Sequence, residues 1–310
     1  RELYLNKIRG FYNDPETIKV ITGIRRCRKS SLLETIIEEL KETGIEEKNI
    51  IEIKLDRRPN KNIKTAEQLD KLIETHINDN DFKYIFLDEI QNVNGFEEVI
   101  ESYRNEKNYS IFITGSNSYL LSGKLITKLT GRKIEIEMFP LNFYEYIDMK
   151  KFLNIEEKAS IYEEFEQYIR EGGFPGALNY NSKQDRKLYV RNILDDIFIK
   201  DIKANTKIKN SETFKNIQRY IINNFGSMIS ATSIQKYYNS INISIDIRTI
   251  KKYISLLCDA KIIYPCNTFD IKSKISLSSE RKYYLADLSI YFLYNTDNKF
   301  NYEPILKNIL

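Results

Sequence analysis

Between Ile18 and Leu40 the hydrophobic pattern changes its period across one glycine-led loop. Ile18 to Thr22, IKVIT, is a short apolar run suited to a buried strand. Leu32, Leu33, Ile36, Ile37 and Leu40 then recur at helical spacing, and Gly44 offers a stop. The eight residues between, GIRRCRKS, keep Gly23, Lys29 and Ser30 of the phosphate-binding pattern G-x-x-x-x-G-K-[ST], but carry Arg28 where that pattern has its second glycine. A strand feeding a helix through such a loop restricts the chain to a layered α/β architecture.

The alternation continues. NIIEIKLD predicts a second strand and AEQLDKLIETHI a helix. YIFLDEI is a near-continuous apolar run ending in Asp88 and Glu89, as expected of a central strand in a parallel sheet buried on both faces. A helix around Phe96 to Arg104 and a fourth strand, YSIFITGSN, follow, the latter ending at Gly115, Ser116 and Asn117. The loop, the two acids and Asn117 thus all fall at carboxyl ends of strands, where ligands sit in open α/β sheets. Beyond GRKIEIEMFPLNFYEY the pattern turns helical, with EEKASIYEEFEQYIREGG and DRKLYVRNILDDIFIKDI separated by the turn-rich GGFPGAL. Three more helices, SETFKNIQRYIINNFG, ATSIQKYYNSIN and DIRTIKKYISLLCDA, precede strand-like KIIYPCN and RKYYLAD, an order that predicts a winged helix. The expected organisation is a P-loop, AAA-like parallel-sheet domain over 1–140, a helical lid over 141–210, a winged-helix domain over 211–295 and the start of a further tail domain at 296–310.

Composition narrows the chemistry. His76 is the only histidine, which excludes a metal site built on several imidazoles and makes a carboxylate the expected general base. Cys27, Cys258 and Cys266 lack zinc-site spacing and read as reduced thiols in a cytoplasm. No run approaches the length of a membrane span, so no membrane role is expected. A net charge of +4 is too balanced to announce nucleic-acid binding for the whole chain, so any basic surface must be local.

The roles of the candidate site residues follow from charge. Backbone N–H groups of Gly23, Ile24, Arg25, Arg26, Cys27, Arg28, Lys29, Ser30 and Ser31 would cradle phosphate oxygens, with Lys29 reaching the β- and γ-phosphates of ATP. The Ser30 hydroxyl and Asp88 would hold Mg2+, and Glu89 would polarise the attacking water. Alternatively, the Asp88–Glu89 pair is a solvated turn. Asn117 is placed either to contact the γ-phosphate or the water, or simply as a turn residue. Arg132, in LTGRK, is either a solvated surface residue or a cation for the transition state, supplied by its own subunit or by a neighbour.

Taken together, KVITGIRRCRKSSLL, YIFLDEIQNV, FITGSNSYLL with LTGR, FPLNFYEY, EGGFPGAL and SSERKYYLADLSIYF resemble a family. It is the family of prokaryotic AAA-type ATPases whose P-loop domain is followed by a winged helix and a restriction-endonuclease-like tail. The resemblance spans nearly the whole chain, up to NYEPILKNIL, which resembles the opening of that tail. It implies ATP binding, Mg2+-dependent hydrolysis, and nucleotide-site roles for Lys29, Ser30, Asp88, Glu89, Asn117 and Arg132, possible oligomers included. The family's loop would read GIRRCGKS, so Arg28 is a departure. If a positive φ is required there, a non-glycine residue costs about 1–2 kcal/mol, which weakens binding roughly 5- to 30-fold. A direct collision with phosphate would be worse, unless the guanidinium turns outward and pairs with a phosphate oxygen.

A second candidate site lies in the winged-helix segment. Arg248, Lys251 and Lys252 share a helix with Ile247, Ile250 and Ile254 on the opposite stripe, and Lys272 and Lys274 fall in the presumptive wing. This is the layout of a DNA recognition helix, and equally of a solvated face or a protein contact. The expectation is therefore an ATP-driven switch, hydrolysis weakened by Arg28, against a non-hydrolysing DNA- or protein-binding module on a P-loop scaffold.

Overall fold

The protein is described by a computed structural model covering residues 1–115, 131–204, 206–267, 280–295 and 302–309. Two compact units divide the chain, Arg1–Met138 and Phe139–Leu310.

The first unit is a five-stranded, wholly parallel sheet in the order β2-β3-β4-β1-β5. Its strands are β1 (Ile18–Gly23), β2 (Ile50–Lys54), β3 (Lys83–Asp88), β4 (Tyr109–Thr114) and β5 (Lys133–Met138), interleaved with α1 (Glu2–Ile8), α2 (Lys29–Glu42), α3 (Ala66–Glu74) and α4 (Phe96–Asn105). Every residue of β1, β3 and β4 is buried, which explains their lack of polar alternation. On one face Ile18, Val20, Ile53, Ile85, Leu87, Ile111 and Ile113 share a core with Leu69 and Ile73 of α3 and Phe96, Val99, Ile100 and Tyr103 of α4. Alternate residues point the other way, where Phe86 stacks on Phe112 at 4.6 Å. There the buried Lys19 Nζ donates to Asp14 O at 2.7 Å, Thr17 O at 3.1 Å and Ser110 Oγ at 2.7 Å, and lies 4.7 Å from the Phe112 ring centre.

Two elements of this unit escaped the sequence reading, α1 and β5. In β5 Lys133, Glu135 and Glu137 alternate with Ile134, Ile136 and Met138, the signature of a half-solvated edge strand rather than a buried one.

The second unit begins with α5 (Phe143–Phe152), α6 (Ile161–Glu171) and α7 (Lys183–Asp196), the last continuing into a π-helical turn, Ile197–Lys203. Each of these helices starts on a side-chain cap, Asn142, Ser160 and Ser182 respectively. Next come α8 (Ser211–Asn223), β6 (Met228–Ile229), α9 (Ala231–Ser240), α10 (Ile247–Asp259), β7 (Ile263–Asn267) and β8 (Arg281–Leu285). The three short strands form an antiparallel sheet ordered β6-β8-β7. Short α11 (Ser289–Phe292) and α12 (Tyr302–Ile309) complete the described elements.

One clasp pins the start of this unit to its end. The buried Asp287 carboxylate accepts Gly173 N–H at 2.6 Å, Ser289 N–H at 2.9 Å and the Ser289 hydroxyl. Gly172 has φ +75°, and a Cβ there would lie 1.8 Å from Asp287 Oδ1, so only glycine allows this approach.

Candidate functional site

β1 ends at Gly23 (φ +142°), where a Cβ would lie 2.2 Å from Met138 O on the neighbouring β5. Glycine is thus demanded by the sheet as much as by the loop. The chain then turns through Ile24, which is buried, and Arg25, Arg26 and Cys27, and enters α2 at Arg28. Arg26 and Arg28 both adopt left-handed backbone, φ 70° and 74°. The turn therefore does require a positive φ at position 28, and Arg28 carries a strain of about 1–2 kcal/mol that glycine would not. Its side chain is exposed and gives α2 no cap hydrogen bond, so capping leaves the first-turn N–H groups open. Arg25 and Arg26 have interactions of their own. Ser31, half-buried, lies within the first turn, and its carbonyl accepts the Thr35 hydroxyl at 3.0 Å.

Lys29 is 6% exposed, and its Nζ donates to Gly23 O at 3.0 Å and Ile24 O at 3.4 Å. The ammonium is folded over the carbonyls of its own loop. Cys27 is fully buried beneath Gly23, and burial pushes its thiol up, away from thiolate chemistry. Its carbonyl accepts Arg1 Nη1 at 3.2 Å, which ties the segment ahead of α1 to the loop.

Next to the loop, three strand ends converge on Asp88, which is only 4% exposed. Ser30 and Thr114 hydroxyls both donate to its carboxylate. Burial pushes the Asp88 pKa upward; the two hydroxyls pull it down, and Glu89 and Asp56 push it up through their charge. The Thr114 hydroxyl also accepts the Glu89 N–H at 3.1 Å, holding Glu89 in left-handed backbone, φ 56°. The Glu89 carboxylate accepts from the Gln91 amide. Thr114 and Asp56 were missed from sequence. The available signal for Thr114 was a hydroxyl closing an otherwise apolar β4 beside β3; for Asp56 there was none, since its approach to Asp88 depends on strand pairing.

This donor set fits Mg2+. A buried carboxylate beside a serine hydroxyl, with further acids nearby, is hard-oxygen chemistry, and Mg2+ usually takes one or two carboxylates and completes its shell with water and substrate phosphate. Among the described residues no group of three or more His, Cys, Asp or Glu forms an all-protein cage.

Asn117 lies outside the described residues. Arg132 is described, and its position corrects one expectation. Lys133 pairs with Ile18 and Met138 with Gly23, so Arg132 sits at the opposite end of the sheet from the loop. Six residues at about 3.3 Å each place it roughly 20 Å away along the strand. The half-exposed guanidinium lies 3.5 Å from Glu101 Oε1. It cannot serve the phosphate site of its own subunit.

In the second unit, Arg248, Lys251 and Lys252 are exposed on α10, while Ile250, Tyr253, Ile254 and Leu257 are buried and Ile247 is half-buried. Lys252 Nζ donates to Lys207 O at 3.4 Å. Lys272 and Lys274 lie outside the described residues. Among the described residues no helix is long and apolar enough to cross a membrane.

Comparison with known proteins agrees with this geometry. Residues 15–147 match the AAA domain family, and residues 162–303 match a family described as Domain of unknown function (DUF8612). An uncharacterized protein of Haemophilus influenzae is 32% identical over 93% of this chain and 71% of its own length. An uncharacterized protein of Methanocaldococcus jannaschii is 30% identical over 96% of this chain and 66% of its own length. Among solved structures, a Walker-type ATPase of Pyrococcus abyssi superposes with a TM-score of 0.64 over 94% of this chain and 95% of its own, at 16% identity. That identity speaks for the fold alone. The chain belongs to an AAA-type P-loop family that includes the Haemophilus influenzae protein.

Proposed function

We propose that the chain binds ATP with Mg2+ at the Gly23–Ser31 loop and acts as a nucleotide-driven switch whose hydrolysis is slowed by Arg28. The observation that carries this reading is the hydroxyl–carboxylate cluster Ser30, Asp88 and Thr114, which joins the loop to the ends of β3 and β4. Triphosphate would enter at the open N–H groups of α2, and Lys29 would leave the Gly23 and Ile24 carbonyls for phosphate oxygens. Mg2+, held by Ser30 and Asp88, would supply charge neutralisation on the phosphates. Glu89, fixed through Thr114, would orient the attacking water, and Asn117 would contact it or the γ-phosphate. Arg132, too far from its own loop, would act on a neighbouring subunit in a homo-oligomer.

The remaining domains follow in the same reading. Residues 141–210 form a helical lid, and 211–295 a winged helix, supported by the order α8, β6, α9, α10, β7, β8 and by the antiparallel β6-β8-β7 sheet. A nuclease-like tail would start at 296–310. The free thiols Cys27, Cys258 and Cys266 support a cytoplasmic setting.

The test is calorimetric titration of ATP with Mg2+, with phosphate release measured in parallel, on the chain, on Lys29→Ala and on Arg28→Gly. The expected result is binding in the chain, its loss in Lys29→Ala, and faster turnover in Arg28→Gly. No binding in either the chain or Arg28→Gly would overturn the reading.

A second reading has one observation in its favour, the exposure of Arg248, Lys251 and Lys252 on one face of α10. In it, this face contacts DNA phosphates whether or not ATP is hydrolysed. Fluorescence anisotropy with duplex DNA at rising salt should then show a steep loss of affinity, and a shallower slope for the triple alanine variant. Identical slopes would sink it.

A further inference from the structure

The second unit contains a cavity of about 340 Å3 between α6, α7 and the α11 region. That volume lies in the range of small-molecule sites. Its lining has three distinct parts. Val190, Phe292 and Leu293 give an apolar floor. Lys158, Lys183 and Lys187 stand exposed around it, and none forms an ion pair among the described residues. The third part is a polar wall of Gln167, Glu171 and Arg186.

Much of the wall is committed internally. Arg186 Nη1 is bound to the Glu171 carboxylate, and Arg186 Nε donates to Tyr180 O at 2.7 Å. Gln167 Nε2 donates to Glu171 Oε2 at 2.8 Å, which fixes the orientation of its amide. Gln167 Oε1 is then left buried without a hydrogen-bond partner. A buried acceptor left unsatisfied costs about 1–3 kcal/mol, so the site gains by receiving an N–H or O–H. Glu163 and Glu166 also line the cavity and lower its positive charge, while Glu171 is neutralised by Arg186. Lys158, Lys183 and Lys187 still outnumber the carboxylates of Glu163 and Glu166.

One residue lining the cavity is fixed by the fold. Ser289 lies on its lining, and the Asp287 clasp fixes Ser289 to Gly173, just past the end of α6. Such preorganisation reduces the ordering cost of binding.

We propose that this cavity is a binding site for a small amphipathic anion, separate from the nucleotide loop. A carboxylate or phosphate head meets the lysines, an N–H or O–H donor meets Gln167 Oε1, and an apolar body lies on Val190, Phe292 and Leu293.

The dye 8-anilinonaphthalene-1-sulfonate carries all three features, an anionic head, an N–H and an aromatic body, and serves as the probe. Fluorescence titration of the full chain should show saturable binding near one site. Lys183→Glu with Lys187→Glu, both at exposed positions, should weaken it by about tenfold or more, as should Gln167→Leu. Lys236→Glu, exposed on α9, should leave it unchanged. Displacement then identifies the head group: octanoate competing marks a carboxylate ligand, phenyl phosphate a phosphate ester. The proposal is overturned if the paired lysine variant binds like the parent, if Lys236→Glu weakens binding equally, if neither competitor displaces the dye, or if ATP with Mg2+ displaces it instead.

Discussion

The two units solve the problem of their polar groups in opposite ways. In the first, the large apolar side chains are almost all inside: among the described residues Leu3 is its only large hydrophobic on the exposed side. Two of its buried polar clusters are closely hydrogen-bonded, Asp88 with Ser30 and Thr114, and Lys19 with Asp14, Thr17 and Ser110. The second unit leaves Tyr144, Phe152, Tyr162, Leu188 and Tyr237 largely exposed, together with the basic face of α10. A buried, closely bonded polar cluster suits chemistry, because it fixes geometry before a ligand arrives. Exposed aromatic and basic surface suits contact with partners. Under the proposed function, this difference divides reaction and recognition between the two units.

The comparison is tested most severely at two buried lysines, Lys19 in the first unit and Lys150 in the second. Lys150 and Glu164 are both 2% exposed and 2.6 Å apart. Lys150→Met leaves a carboxylate buried without its cation and should destabilise the protein by about 3–5 kcal/mol. Lys19 Nζ hydrogen-bonds only neutral oxygens, with the Asp14 charge acting on it from a distance, so Lys19→Met leaves carbonyls and a hydroxyl unsatisfied and should cost about 1–3 kcal/mol. Urea denaturation of both variants decides. A larger loss at Lys19 would mean that the two interiors do not differ in this way.

Asp287 offers a pH readout confined to the second unit. Burial lifts its pKa to about 6, against its three hydrogen-bond donors, which lower it. With the folded value above the unfolded value, the folded state holds the proton longer. The contribution is complete below the unfolded value of 3.8 and is lost as pH rises through about 6. Over that window the chain should lose up to about 3 kcal/mol. Asp287→Asn is less stable throughout, because its amide N–H2 faces donors, but it lacks this slope. The stability gap between chain and variant should therefore narrow from pH 4 to pH 7. Parallel profiles would remove Asp287 as the source.

What could be read from sequence and what could not divides along the same physical line. β1, its loop, α2 and the acids at the end of β3 were legible because each depends on local period and on residues adjacent in the chain. β5 was not, because an edge strand alternates like a solvated segment and its place beside β1 is fixed only by pairing across more than a hundred residues. That same pairing puts Arg132 at the far end of the sheet, which spacing along the chain does not reveal. Thr114 needed the β3–β4 register before its hydroxyl could be assigned to Asp88. In the second unit α6 to α10 were legible from their apolar stripes, whereas α5, α11 and α12 were not. The cavity was not, since its lining joins residues 158–190 to residues 289–295, which are far apart in the chain.

Arg28 tests whether the first unit is as settled as its packing suggests. Left-handed backbone at a non-glycine residue is a local strain inside an otherwise satisfied site. Arg28→Gly removes that strain but loosens the unfolded chain, so the net gain in stability should be at most about 1–2 kcal/mol. Because the folded chain already carries this strain, it cancels in binding, and affinity for ATP with Mg2+ should change little if strain is the whole of the effect. A gain in affinity with no gain in stability would point to the guanidinium obstructing phosphate. A loss of affinity would show that Arg28 contributes its charge to the ligand.

The smallest effect on stability is expected on the recognition side. Arg248, Lys251 and Lys252 point into solvent from α10, so replacing all three by alanine removes no buried contact and should change the unfolding free energy by no more than about 0.5 kcal/mol each. Lys252 alone gives up a hydrogen bond, the long one to Lys207 O at 3.4 Å. Turnover at the nucleotide loop should be unaltered in the absence of DNA, whereas the salt slope of DNA binding should fall by about one for each phosphate contact removed. A division of labour between the units requires both results together. If the triple variant unfolds readily or slows phosphate release without DNA, the basic face belongs to the architecture or to the chemistry, and the second unit is more than a surface for partners.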